Sequence, residues 1–264
     1  MDIPRLLAST TSHKAEPLLP TLEVFSRLGL RDVDLNLHHI IEVGVPVDTI
    51  VQEVAALGIH LWAVSGGWCD FFKPAPEVEA TFASIDRQVG YARALNVSVI
   101  RLFFGRLTYE DYTSDARDTI CDNLRRLSTA HPAMRFVFEN HDGASLRPEV
   151  CHEVLGRVDR PNIRMNFDPI NFERHGVNSL SAVKEVAPHV GHVHLKGLEH
   201  GEFCEFGLGE VDLLPVLRVL HGAGFAGSFS VEYEGHFDKT LRLYESMKRA
   251  KTALRDAGFE HVDM

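Results

Sequence analysis

The stretch VGHVHLKG, residues 190–197, alternates apolar and polar side chains and closes on a glycine. β-Favouring residues in strict alternation make a strand, whose successive side chains point to opposite faces. Val193 and Leu195 therefore share one face, and His192, His194 and Lys196 share the other. Two imidazoles and an ammonium in a row face either open water or a polar cavity where chemistry is done.

Outward from this stretch, similar short runs recur along the chain, each followed by residues at helical spacing. They cover 5–10, 32–37, 59–65, 98–105, 134–140, 163–168, 190–197 and 227–233. Leu22, Phe25 and Leu28 keep the helical period after the first run. Ile50, Val54 and Leu57 keep it after the second, and Gly58 ends that helix. Further helices are expected through EATFASIDRQVGYARALN, over about 113–130, from near Pro148, near 179–187, and at about 212–223 before Gly224. Leu241, Tyr244, Met247 and Leu254 mark a last one. Strands alternating with helices imply a parallel sheet, and eight such units in about 250 residues fit a closed (β/α)8 TIM barrel. No linker-like or low-complexity segment divides residues 1–264, so one domain is expected. A doubly wound open sheet is the competing layout. Against it, no GxGxxG or GxxxxGK[ST] follows an early strand, and GLGEVD at 207–212 follows a loop.

Composition narrows the function. The formal charge of −10, with His neutral, argues against nucleic-acid backbones, which need clustered Lys and Arg. The 15 histidines invite a search for metal or acid–base sites. Cys69, Cys121, Cys151 and Cys204 form no CxxC pair and read as free thiols in a reducing cytosol. The N-terminal MDIPRLLASTTSHK lacks the apolar run of a signal peptide, and no stretch approaches the roughly 20 apolar residues of a membrane helix. A soluble cytoplasmic protein is expected.

The active site of such a barrel lies at the C-terminal ends of the strands. The fifth run ends FVFEN, with Glu139 opposite Phe136 and Phe138; the sixth ends MNFDP, with Asp168 opposite Met165 and Phe167. The seventh carries His194, and the eighth, FSVEYE, carries Glu232 opposite Val231 and Tyr233. The apolar residues can face the helices while Glu139, Asp168, His194 and Glu232 face the axis. Three converging carboxylates repel unless a cation sits between them. Mixed oxygen and imidazole donors suit one divalent ion, Mn²⁺, Mg²⁺, Co²⁺ or Zn²⁺.

FVFENH, NFDP, HVHLKG and FGLGEVDLLPVLRVLHGAGFAGSFSVEYEG resemble the xylose isomerase-like superfamily of TIM barrels, the sugar phosphate isomerase/epimerase group. The likeness is strongest over 134–235, and the last block, with its closing GxxGxxSVE, is the most specific. The resemblance implies one divalent metal held by Glu139, Asp168, His194 and Glu232, with Glu234 of the same parity as the alternative last ligand. Several members keep a His three residues after the Asp, where this chain has Asn171. Asn can hydrogen-bond a substrate but cannot shuttle protons. The abasic-site endonucleases of the superfamily use that His among the ligands of three zinc ions, so Asn171, Arg101 and the acidic charge argue against nuclease activity. Barrels of this group often associate as dimers or tetramers.

The implied chemistry is proton transfer beside a carbonyl of a small, carbohydrate-like hydroxyketone, through an enediolate. Glu139 and Glu232 would be the acid–base pair, and Asp168 and His194 mainly ligands. Lys196 would anchor a substrate anion or stabilise the enediolate, and a nearby cation would lower its pKa toward a base role. His192 lies deeper on the same face, as a core histidine or a substrate contact. His38 shares parity with Asp34 and Asn36, with His39 pointing away; Trp68 would wall the pocket with Phe71 and Phe72; Arg101 would bind an anionic group. His13, His60, His131 and His152 are expected at the surface. An isomerase or epimerase is the leading function. A dehydratase of keto-inositol or dehydroshikimate type shares its first step, and a non-catalytic sugar-binding barrel would not need both glutamates.

Overall fold

The alternating runs become parallel strands because each has one apolar face to bury against helices. The structure, a computed structural model, describes residues 4–260 and 262. Its strands are β1 (Arg5–Ser9), β2 (Asp32–Asn36), β3 (His60–Trp68), β4 (Val99–Phe103), β5 (Arg135–Glu139), β6 (Ile163–Phe167) and β7 (Val190–Leu195). A short antiparallel pair follows, β8 (Gly197–Glu199) and β9 (Glu202–Cys204), and then β10 (Ser228–Val231). The barrel is closed in the order β1-β10-β7-β6-β5-β4-β3-β2. The open-sheet alternative is thereby removed.

The helices are α1 (Leu18–Arg27), α2 (His38–Ile41), α3 (Val47–Leu57), α4 (Glu77–Ala94), α5 (Ser114–Ala130), α6 (Pro148–Val158), α7 (Pro169–Arg174), α8 (Ser179–Val186), α9 (Leu214–Gly222) and α10 (Lys239–Asp256). Their ends follow local chemistry. Thr113 caps α5 by accepting from Ala116 N, Pro148 opens α6, and Gly58 ends α3 in a left-handed turn at φ 63°. None is long and apolar enough to cross a membrane. All four cysteines are free.

The core lies between barrel and helices. Phe136, Phe138, Met165, Phe167, Val193, Leu195, Phe229 and Val231 join it from the outward faces of their strands. The barrel interior is different. Besides Leu7, Ala63 and Val137, it buries Ser9, Asp34, Ser65, Arg101, Asn166, His192, His194 and Ser230. Apolar layers fill a typical barrel; here hydrogen bonds and ion pairs take much of that role.

Four elements were not expected. The strand period breaks after Asn36, whose Oδ1 accepts from His38 N, and α2 follows. Asp168 and Pro169 start α7 directly at the end of β6. The strands β8 and β9 are too short for a period to show, and their approach needs glycine: a Cβ at Gly197 would strike Glu205 O. Two histidines expected at the surface are buried. His13 places its ring edge on Phe25 with Nε2 3.2 Å from Thr240 Oγ1, and His131 meets Asp86 Oδ1 at 2.9 Å. Amphipathic rings pack this way when one polar atom finds a partner.

Burial, with the charges of Lys239 and His39, pulls His13 down from 6.5 to about 4. The unfolded chain then takes up a proton that the folded one refuses, so stability falls as pH drops from 6.5 toward 4. His13→Gln is expected to flatten that part of the pH profile of urea midpoints; an unchanged profile would show that His13 stays neutral for another reason.

Candidate active site

Strand register brings the acidic residues to one level. Phe103 pairs with Glu139, Glu139 with Asn166, and Ser230 with His194, so these side chains share the inward face. Asp168 and Glu232 follow β6 and β10 by one residue. His194 Nδ1 lies 3.3 Å from Glu232 Oε2, 3.6 Å from Glu139 Oε1 and 3.8 Å from Asp168 Oδ2. All four residues are buried.

Each carboxylate is fixed by a different device. Asp168 caps α7, its Oδ1 accepting from Ile170 N and Asn171 N at 3.0 Å each, which leaves Oδ2 for the site. Asn140 clamps the ends of β5 and β6, donating to Asp168 O and accepting from Asp168 N, both at 2.8 Å. Asn171 Nδ2 donates to Glu139 Oε1 at 2.9 Å, and Arg101 Nε lies 3.3 Å from Glu139 Oε2. Ser9 Oγ donates to Glu232 Oε1 at 3.3 Å. Lys196 Nζ sits among carboxylates, 2.7 Å from Glu234, 2.9 Å from Asp168 and 3.2 Å from Glu232.

These contacts set the charges. Burial would raise Glu139, but His194, Arg101 and Lys196 hold it well below the usual carboxylate range. Glu232 is likewise lowered against burial by His194 and Lys196. Burial would lower His194 and Lys196, but the surrounding carboxylates hold both well above their ordinary values. Three carboxylates surround the ammonium and keep it charged. Among the described residues, both nitrogens of His194 lack a well-aligned hydrogen bond, and Asp168 Oδ2 and Glu139 Oε2 are met only by the ion-pair contacts of Lys196 and Arg101. Glu139, Asp168 and His194 offer one donor atom each, all within 4.8 Å of one another.

Several expected contacts are corrected. His192 is fully buried with both nitrogens on serine hydroxyls, Ser228 at 2.9 Å and Ser230 at 3.0 Å, the arrangement of a hydrogen-bonded core histidine. His38 belongs to α2, where strand parity no longer applies; His39 is the buried one. Arg101 does face inward, but its guanidinium is taken by Glu139, Gly66 O and the ring of Phe103. Trp68 ends β3 and stacks on Phe103 at 4.5 Å, with His141 edge-on at 5.4 Å. Phe71 lies instead in the core against Phe82 and Phe138. A register shift at Gly66 and Gly67, between Ser65 and Trp68, brings Trp68 opposite Phe103. His141 and Phe103, which the sequence reading did not single out, pack with Trp68, and His141 keeps the parity of Glu139. A cavity of about 610 Å³ lies elsewhere, between residues 206–214 and α10, and none of the site carboxylates lines it.

A closed parallel barrel with these acids at its C-terminal mouth defines the class, and the sequence agrees. The chain belongs to the xylose isomerase-like TIM barrel family, whose model matches residues 23–258. It is 22% identical over 131 residues to a 3-dehydroshikimate dehydratase of Bacillus anthracis, covering 48% of this chain and 46% of that protein. To an inosose dehydratase of Geobacillus thermodenitrificans (strain NG80-2) it is 25% identical over 145 residues, covering 47% and 49%. The chain thus spans about half the length of the curated relatives it matches. Among solved structures, an L-ribulose 3-epimerase superposes with a TM-score of 0.79 at 17% identity, over 97% of this chain and 96% of that one. The IOLI protein with bound zinc gives 0.79 at 18% identity over the full length of both. At these identities the likeness is one of fold.

Lys196→Met would leave the buried acids without their ammonium. It is expected to destabilise EDTA-treated protein by about 3 kcal/mol or more in urea unfolding, with much of the loss recovered on adding Mn²⁺. A variant as stable as wild type would show that the lysine does not balance these charges.

Proposed function

We propose that this chain is a divalent-metal-dependent isomerase or epimerase of a small sugar or keto-polyol, acting on the proton next to a carbonyl. The observation that carries the proposal is the convergence of three buried carboxylates on one imidazole nitrogen, at 3.3–3.8 Å, with no well-aligned hydrogen bond to that nitrogen among the described residues. Glu139, Asp168 through Oδ2, His194 through Nδ1 and Glu232 would hold the ion, and this nitrogen–oxygen set fits Mn²⁺, Mg²⁺, Co²⁺ or Zn²⁺. When bound, the ion supplies Lewis-acid polarisation of a substrate carbonyl.

The chain's own residues do the rest. Glu139 and Glu232 stand on β5 and just beyond β10, with β6 and β7 between them, so they flank the centre from opposite sides. One takes the carbon-bound proton and the other returns it. Arg101 and Asn171 orient Glu139; Ser9 and Lys196 orient Glu232. Lys196 also offers its ammonium to a substrate oxygen or anionic group, and Glu234, on that ammonium with a side chain 26% exposed, sits at the rim. Glu232 rather than Glu234 is assigned as the last ligand because only Glu232 is buried against His194. Trp68, Phe103 and His141 form an aromatic cluster next to Glu139 in register, which would border the substrate on that side.

Loss of water after the same proton abstraction is the second reading, favoured because two matched relatives are dehydratases by name. It differs only in expelling a β-hydroxyl.

Elemental analysis should find about one divalent ion per chain, lost in His194→Ala. Ketoses and keto-cyclitols incubated with loaded protein in D₂O should take deuterium at the carbon beside the carbonyl, followed by NMR. Glu139→Gln and Glu232→Gln should each slow this by about 10²-fold or more. An isomer as product supports the first reading and an enone or its tautomer the second. Full exchange in either variant, or no exchange with any substrate, would overturn the proposal.

A further inference from the structure

A second buried polar cluster lies beneath the proposed ligands. Asp34 on β2 pairs in register with Ser9, whose hydroxyl reaches Glu232. A carboxylate oxygen of Asp34 and one ring nitrogen each of His192 and His194 all lie within 4.8 Å of one another. All three side chains are fully buried.

Hydrogen-bond directions decide what this cluster does. Ser230 Oγ donates to Asp34 Oδ2 at 3.0 Å. A serine has one proton, so the 3.0 Å contact between Ser230 Oγ and His192 Nε2 must be a donation from the imidazole. His192 is then the neutral Nε2–H form, and its Nδ1 accepts from Ser228 Oγ at 2.9 Å. Ser65 Oγ also donates to Asp34, at 3.1 Å and 3.2 Å to its two oxygens. The protons of Ser228, His192, Ser230 and Ser65 therefore run one way and end on Asp34. His192 has no lone pair left for a cation, so the cluster does not make a second metal site. A carboxylate has about four acceptor positions, and two hydroxyls, those of Ser65 and Ser230, donate to Asp34.

His194 supplies what Asp34 lacks. Its Nδ1 faces Glu139, Asp168 and Glu232, and neither of its nitrogens has a hydrogen-bond partner. A neutral imidazole that ligates through Nδ1 carries its proton on Nε2, and that proton needs an acceptor. We infer that Asp34 is the positioning residue for His194: its carboxylate, within 4.8 Å of a His194 ring nitrogen, takes the Nε2–H through one water and so keeps the Nδ1 lone pair aimed at the ion. The inference rests on the metal-dependent reading above.

Titration calorimetry of metal-stripped protein with Zn²⁺ tests it. Asp34→Asn keeps the shape but puts an amide N–H where an acceptor is needed, and is expected to weaken Zn²⁺ binding about 10–100-fold. The melting temperature of the stripped variant should stay near that of wild type, which a purely structural role would not allow. Ser65→Ala removes a donor from Asp34 without touching His194 and should leave affinity close to wild type. On wild type alone, ¹⁵N-histidine NMR of the zinc form should show His194 protonated at Nε2 and ligating through Nδ1. Zinc on Nε2, unchanged affinity in Asp34→Asn, or a second equivalent of zinc lost in that variant would each overturn the inference. Wild type that binds no zinc, Mn²⁺ or Co²⁺ would instead overturn the metal-dependent reading, and this inference with it.

Discussion

Glu139, Asp168 and Glu232 gather within 3.3–3.8 Å of one imidazole nitrogen, in a place closed to bulk water. Unscreened like charges at such spacing repel strongly, and much of the surrounding structure answers that repulsion. Arg101 approaches from β4, Lys196 from the end of β7, and His194 stands between. A chain with net charge −10 has placed these cations against its most crowded acids. A divalent ion would extend the same compensation.

The polar barrel interior follows from this arrangement. A floor of aliphatic side chains would leave the buried acids and imidazoles without partners, at a cost of several kcal/mol each. Serines 9, 65, 228 and 230 instead feed hydrogen bonds to Glu232, Asp34 and His192. Asp168 shows the economy of the design: one oxygen starts a helix while the other faces the site. The mouth above is asymmetric. Trp68, Phe103 and His141 cluster on the Glu139 side, while Lys196, Glu234 and Phe203 make a charged side near Glu232.

Period-two alternation followed by helical spacing gave the (β/α)8 layout without reference to tertiary contacts, because each strand must bury one face and each helix one stripe. The same parity placed Glu139, Asp168, His194 and Glu232 on the inward side. It failed where the backbone left the strand. At His38 the chain had already turned into α2, and at Trp68 a register shift changed the direction of the side chain. His13 and His131 looked like surface residues because a lone histidine in a sequence carries no sign of the partner that buries it.

What the sequence determined by itself was local: where strands begin, which side chains share a face, and hence which acids point to the barrel axis. Periodicity is a property of neighbouring residues and needs no knowledge of distant ones. What only the tertiary structure decided was pairing. Arg101 belongs to Glu139, Lys196 to Asp168, Glu232 and Glu234, and Ser230 joins His192 to Asp34 across 38 and 196 residues of chain. Such contacts depend on strand register and barrel closure, which bring together groups that no local pattern relates.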